Sequence, residues 1–213
     1  MDDQGVFIVI DGIDGCGSTT QTAKLGAKLI ECGIKVHLTH EPSKLPVGNL
    51  LREYLQNETA PIATDALLFA ADRVEHYYYE ILPKLEEGYV VVSDRYLEAS
   101  IAYQTAQGKL EEKIENSPFK HMDINWVLAI NQFAPQPDLT FIIDIDPRVS
   151  LARKNPTLAL EKFETVNFLD SVRKIYLERA QSQKHIIVDG AKSVKEIANT
   201  IYDCVVSIIS AGD

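Results

Sequence analysis

An α/β fold, with a five-stranded parallel sheet flanked by helices, is what the sequence predicts, and three observations carry the prediction. Five short apolar runs recur without strict alternation, which is how strands buried on both faces read. Segments with apolar residues at helical spacing lie between them, and alternating strand and helix implies a parallel sheet wrapped on both sides. Polar residues collect where the runs end, the edge at which open parallel sheets bind ligands.

The first run, Val6 to Ile10, ends on Asp11 and enters a glycine-rich turn, after which Thr20 to Glu31 has helical spacing. The second, Val36 to Leu38, is followed by His40 and Glu41. Leu67 to Glu87 reads as a long helix before the third run, Tyr89 to Val92, which leads to Asp94 and Arg95. Lys109 to Lys120, rich in Glu and Lys, reads as an exposed connection. Leu139 to Ile145 is the fourth run, with Asp144 and Asp146 at its end. Val166 to Gln181 is helical, and His185 to Val188 closes the series at Asp189. Turns after strands are polar on their own account, so these positions mark a place and not yet a chemistry.

With 213 residues, 46% of them hydrophobic, the chain can bury one sizeable core, so a single domain with a lid or insertion is expected over residues 1–213. A net charge of −10 argues against nucleic acid as a partner, because a phosphate-backbone binder needs a basic face. A small anion is still compatible with it, held by a few local cations and backbone N–H groups. Three cysteines, Cys16, Cys32 and Cys204, give an odd count without metal-like spacing, which points away from disulfides and zinc and toward reducing cytosol. No stretch approaches signal or membrane-spanning length, so a cytoplasmic protein with no membrane partner is expected.

The segment "GIDGCGSTTQ", Gly12 to Gln21, has the makings of a phosphate loop. Such a loop needs glycines so that the backbone curls around oxygens, a following helix whose free N–H groups face the anion, and a hydroxyl for magnesium. Gly12, Gly17 and Thr19 match G-x-x-x-x-G-K-[ST], but Ser18 stands where lysine belongs. The competing dinucleotide pattern fails, because Thr20 occupies the place of its third glycine.

Four later segments decide between a phosphate loop and a plain turn. They are "THEPSKLPVG" from Thr39, "LLFAADRVEH" from Leu67, "VVSDRYLEASIAYQ" from Val91 and "PDLTFIIDIDP" from Pro137. Taken with the loop, and in this order, they resemble the thymidylate kinase family of P-loop nucleoside monophosphate kinases over nearly the whole chain, in an archaeal-type variant with serine in place of the loop lysine.

The resemblance implies the P-loop NTPase three-layer fold with a short lid at about 152–165, a homodimer, and transfer of the gamma-phosphoryl of ATP to dTMP with Mg2+. It implies a donor loop of Gly12, Ile13, Asp14, Gly15, Cys16, Gly17, Ser18, Thr19 and Thr20. It implies Phe69 stacked on the pyrimidine and Arg73 at its carbonyl edge, Arg95 with Arg52 on the acceptor phosphate, and Asp14 at the sugar 3'-hydroxyl. Asp94 and Thr19 would hold magnesium, while Ser100, Tyr103 and Gln104 complete the base pocket. Each residue also has a plainer reading; Asp72 and Arg73, for instance, could be a solvated helix pair.

The sequence departs from the family at three places. Ala99 stands where serine is usual, which leaves other pyrimidine monophosphates open as acceptors, and His40 stands where arginine is usual. The missing loop lysine leaves open a nucleotide-binding protein with weak or no catalysis. Arg153 or Lys162 is expected to close over the phosphates in its place; as surface charges they would do nothing. Tyr77, Tyr78 and Tyr79 read as helix packing and dimer surface, His185 and Cys32 as structural, and Asp189-Gly190-Ala191 as the adenine-side loop.

Overall fold

The computed structural model describes residues 5–56, 61–153 and 166–210, and the five apolar runs form five parallel strands. These are β1 (Val6–Gly12), β2 (Val36–His40), β3 (Val90–Asp94), β4 (Leu139–Asp144) and β5 (Ile186–Asp189), in the order β2-β3-β1-β4-β5. β1 lies in the middle, with Ile8 opposite Val92 on one side and Leu139 on the other. Phe7, Ile8, Val9 and Ile10 are all buried, which is why their run shows no alternation. From β1 the chain builds outward to β3 and β2 on one side and to β4 and β5 on the other, so a crevice opens at the carboxyl end of β1.

Nine α-helices among the described residues flank the sheet: α1 (Ser18–Glu31), α2 (Pro46–Leu55), α3 (Ile62–His76), α4 (Leu82–Glu86), α5 (Leu97–Glu111), α6 (Ile124–Ile130), α7 (Pro147–Arg153), α8 (Val166–Gln183) and α9 (Val194–Ile209). α1 packs with α9 and α5 with α8, giving the three layers expected. None of the helices among these residues is long and apolar enough to cross a membrane. The lid at about 152–165 lies outside the described residues beyond Arg153, and Lys162 with it.

Two elements differ from their sequence reading. The single helix expected over Leu67 to Glu87 is three pieces, with a π-helical turn at Tyr77–Ile81 between α3 and α4. Pro83 has no N–H to return to the carbonyl of Tyr79, so a continuous α-helix would leave that carbonyl unpaired there. The charged connection begins later than expected, because Lys109, Leu110 and Glu111 extend α5 before the exposed turns.

Glu98 ties three of these elements together. It is buried on α5, receives two hydrogen bonds from Arg179 of α8 at 2.9 and 2.7 Å, and lies 3.1 Å from Nε2 of His185 beside β5. Burial alone would raise this carboxyl, but the hydrogen bonds from His185 and Arg179 outweigh it and hold it below its ordinary 4.5. A carboxylate depressed in the folded state stabilises the fold fully above its unfolded value, and that contribution disappears as pH falls through the folded value. Glu98→Gln is expected to lower stability by about 3 kcal/mol at neutral pH, since it leaves the half-buried Arg179 without its counter-charge. Urea unfolding should show the gap between variant and wild type narrowing below pH 4.5; a constant gap would count against this account.

Candidate active site

The crevice is floored by the loop between β1 and α1. Gly17 caps α1 in a left-handed conformation with φ of 100°, no side chain caps the helix, and no acidic residue occupies its first turn. Its first N–H groups are therefore left for an anion, in contrast to α9, where Ser193 and Glu196 form a reciprocal cap. Gly15 has φ of +77°, and a Cβ there would sit 2.5 Å from the carbonyl of Ser150, so the loop closes against α7 only with glycine at this position. Ser18, where lysine was expected, is buried as the first residue of α1. Burial pushes the Cys16 thiol up to about 11, which leaves it an uncharged packing group.

A cleft of about 990 Å³ runs over this helix start, lined by Gly15 to Thr20, Asp94, Arg95, Arg153 and, from the β5 side, Lys192 and Ser193. Arg153 donates to the carbonyl of Gly190 at 3.1 Å, so the expected lid cation stands beside the expected adenine-side loop. Ile13 is a core residue instead, and neither it nor Gly12 lines the cleft. Their part in the loop is the turn closed by Cys16 N–H on the Ile13 carbonyl.

A second cavity, of about 300 Å³, adjoins the first and brings together Asp14, Arg52, Phe69, Arg73, Arg95, Ser100, Tyr103 and Gln104. Arg95 lines both cavities. Its backbone is left-handed, with φ of 71°, a cost concentrated where the side chain must turn back into the site. Its guanidinium pairs with Asp14 and lies 5.6 Å from the centre of the Tyr103 ring. The Tyr103 oxygen accepts the Asp14 N–H at 2.8 Å. Arg52 also reaches the pocket while donating to the Pro42 carbonyl and to Asn49.

Asp72 and Arg73 are no solvated pair: they are 0% and 1% exposed. Asp72 accepts from the Ser43 backbone and hydroxyl. Arg73 donates to Asn131, Glu41, Ser100 and the Tyr96 carbonyl, and its buried Nε–H has no hydrogen-bond partner among the described residues.

In the first cleft, the Thr19 hydroxyl donates to Asp94 Oδ2 at 2.5 Å, while Asp94 Oδ1 is buried without a partner among the described residues. A hydroxyl and a carboxylate with an unused oxygen, at the mouth of a phosphate loop, fit a magnesium ion that keeps most of its water. Magnesium supplies charge neutralisation on phosphate oxygens when bound.

A model of the family described as thymidylate kinase matches residues 10–201, a span that contains both cavities. The chain belongs to the thymidylate kinase family. It is 44% identical over 197 residues to a probable thymidylate kinase of Pyrobaculum calidifontis, covering 92% of this chain and 93% of that one. It is 40% identical to one of Pyrobaculum aerophilum, over 95% and 97% of the two chains, and 37% identical to one of Pyrococcus horikoshii, over 93% and 94%.

For this thymidylate kinase family member, sequence reasoning passed over several residues that shape the site. Asp11 is fully buried behind the phosphate loop, where Gly12 N–H and the Tyr176 hydroxyl donate to Oδ1 and Ala99 N–H to Oδ2. Burial pushes its carboxyl up to about 7 against the lowering effect of Arg95 and these hydrogen bonds. Its place at a strand end was visible; its partners on α5 and α8 were not. Glu41 and Asn131 hold Arg73, and Lys192 adds a cation to the first cleft. His185 is structural, as expected, whereas Cys32 is exposed, 3.2 Å from the Tyr202 hydroxyl.

Proposed function

We propose that this chain is a dTMP kinase that transfers the gamma-phosphoryl group of ATP to dTMP, giving dTDP and ADP. The observation that carries the reading is Arg95, shared by a phosphate-loop cleft and a pocket with an aromatic face and an enclosed arginine. The α1 N–H groups bind the donor phosphates, Arg95 and Arg52 orient the acceptor phosphate, and Asp14 takes the sugar hydroxyl. An acceptor phosphate oxygen then attacks the gamma-phosphorus as the bond to the beta-gamma bridging oxygen breaks, and ADP leaves. Thr19 and Asp94 would hold Mg2+, which would neutralise charge on the phosphate oxygens.

Phe69 stacks on the pyrimidine and Arg73, which lines the same pocket, lies at the carbonyl edge of the base, so an acceptor with an exocyclic amine at that edge is disfavoured. Ser100, Tyr103 and Gln104 close the pocket around base and sugar. In the absence of a loop lysine, Arg153, Lys162 and Lys192 supply charge to the donor phosphates. Leu67 and Val74, two turns apart on α3, and Tyr78, one turn further in the π-helical turn, are exposed, which supports a homodimer along this stretch, to be checked by light scattering against the 23.8 kDa of one chain. Three free cysteines suit a cytoplasmic protein.

The test is coupled ADP production with Mg2+ and ATP across dTMP, dUMP, UMP and dCMP. Turnover preferring dTMP is expected, with a drop of about 10–100-fold in Arg153→Ala and a gain, or no change, in Ser18→Lys. Nucleotide binding without turnover by the wild type would refute the kinase reading.

A further inference from the structure

Behind the acceptor pocket, polar side chains form an unbroken line from the base-facing arginine to the protein surface. Arg73 Nη2 donates to Glu41 Oε2 at 2.6 Å, and Glu41 Oε1 lies 3.3 Å from Nδ1 of His76. On the far side of the imidazole, Nε2 lies 2.7 Å from the Thr39 hydroxyl and 3.7 Å from Glu80 Oε2. Glu80 Oε1 is 3.0 Å from Nε2 of His37, and both of these outer residues are partly exposed. Glu41, Arg73 and His76 are only 6%, 1% and 0% exposed, so water cannot stand in for a lost partner at the inner end.

The Nη groups of Arg73 are all committed to protein acceptors, and only its Nε–H is without a partner among the described residues. The placement of the guanidinium beside the pocket is therefore set by those acceptors, and its one ionic contact among the described residues is Glu41. Glu41 in turn spans two cations or donors, with one oxygen on Arg73 and the other on His76. Remove the imidazole and that second oxygen becomes a buried acceptor without a donor, which favours its rotation and loosens the arginine.

We infer that His76 is a positioning residue for the acceptor base: by holding Glu41 it fixes the orientation in which Arg73 faces the pocket. This rests on the reading of that pocket as a pyrimidine monophosphate site. His76 touches no part of either cavity, and it lies on the last turn of α3, immediately before the π-helical turn.

Three substitutions separate holding Glu41 from merely filling space. His76→Asn keeps an amide N–H near the place of Nδ1, toward Glu41; His76→Gln puts its amide near the place of Nε2, toward Thr39; His76→Leu keeps neither. Calorimetric binding of dTMP to the full chain should weaken about tenfold in the Leu and Gln variants and stay within about threefold of wild type in the Asn variant. Affinity for a non-hydrolysable ATP analogue should be unchanged in all three, and discrimination of dTMP from dCMP should narrow in the Leu variant.

Equal weakening in all three variants, or none in any, overturns the inference. If the Leu variant does not fold, the Gln and Asn variants decide alone: an expected loss of about tenfold in His76→Gln beside a near-wild-type His76→Asn supports the inference, and equal dTMP affinity in the two overturns it. A wild type that binds no pyrimidine monophosphate fails the proposed function and the inference together, whereas a wild type that binds dTMP beside indifferent variants fails the inference alone.

Discussion

Arg95→Ala is expected to lower kcat/KM for dTMP by about 10²–10³ while leaving the fold intact. The guanidinium stands where the two cavities meet, so it can contact an acceptor phosphate and the group being transferred to it. Its pairing with Asp14 keeps it in place before substrate arrives, and the Tyr103 ring supports it from below. Stability should change little, because Arg95 serves the site and not the core, and alanine keeps the Cβ on which the left-handed backbone conformation bears. Arg95→Lys should recover only part of the loss, since an ammonium keeps the charge but not the two-pronged geometry. Steady-state rates of ADP release decide the matter; an Arg95→Ala enzyme within threefold of wild type would mean that some other residue holds the acceptor phosphate.

Asp94→Asn should be nearly as damaging, with a fall in kcat of about 10²–10³, but through a different substrate dependence. Asp94 contributes a buried oxygen with no partner among the described residues and a second oxygen already on the Thr19 hydroxyl. The amide keeps the shape and removes the negative charge, so the magnesium concentration needed for half-maximal rate should rise while dTMP binding stays as it was. Titrating Mg2+ against rate in wild type and variant separates this from a general loss of structure. Chelating the metal should reduce wild type to the level of the variant; a variant with unchanged magnesium dependence would remove Asp94 from the metal site.

Most of the strand and helix pattern was legible because burial on both faces of a parallel sheet leaves a local signature that no other arrangement of Val6 to Ile10 or Leu139 to Ile145 explains as well. The phosphate loop was legible for a similar reason: its glycines answer to backbone geometry within a few residues, as Gly15 does against Ser150. The π-helical turn was not, because periodicity shows that Leu67 to Glu87 is helical but not how its carbonyls are shared around Pro83. Asp72 and Arg73 were ambiguous as letters, since a charged pair on a helix is ordinarily solvated; their burial comes from Ser43, Glu41 and Asn131 closing over them.

Sequence alone determined the class of fold, the loop with serine in place of lysine, the edge of the sheet where chemistry gathers, and most of the side chains that line it. Tertiary structure alone decided which of those side chains act together. Arg73 meets Asn131 across 58 positions of chain, and Asp11 meets Tyr176 across 165. Periodicity and turn chemistry are set by neighbours along the chain. A buried charge, by contrast, must find its partner among whatever elements pack against it, and that choice is made only when the sheet and its helices come together.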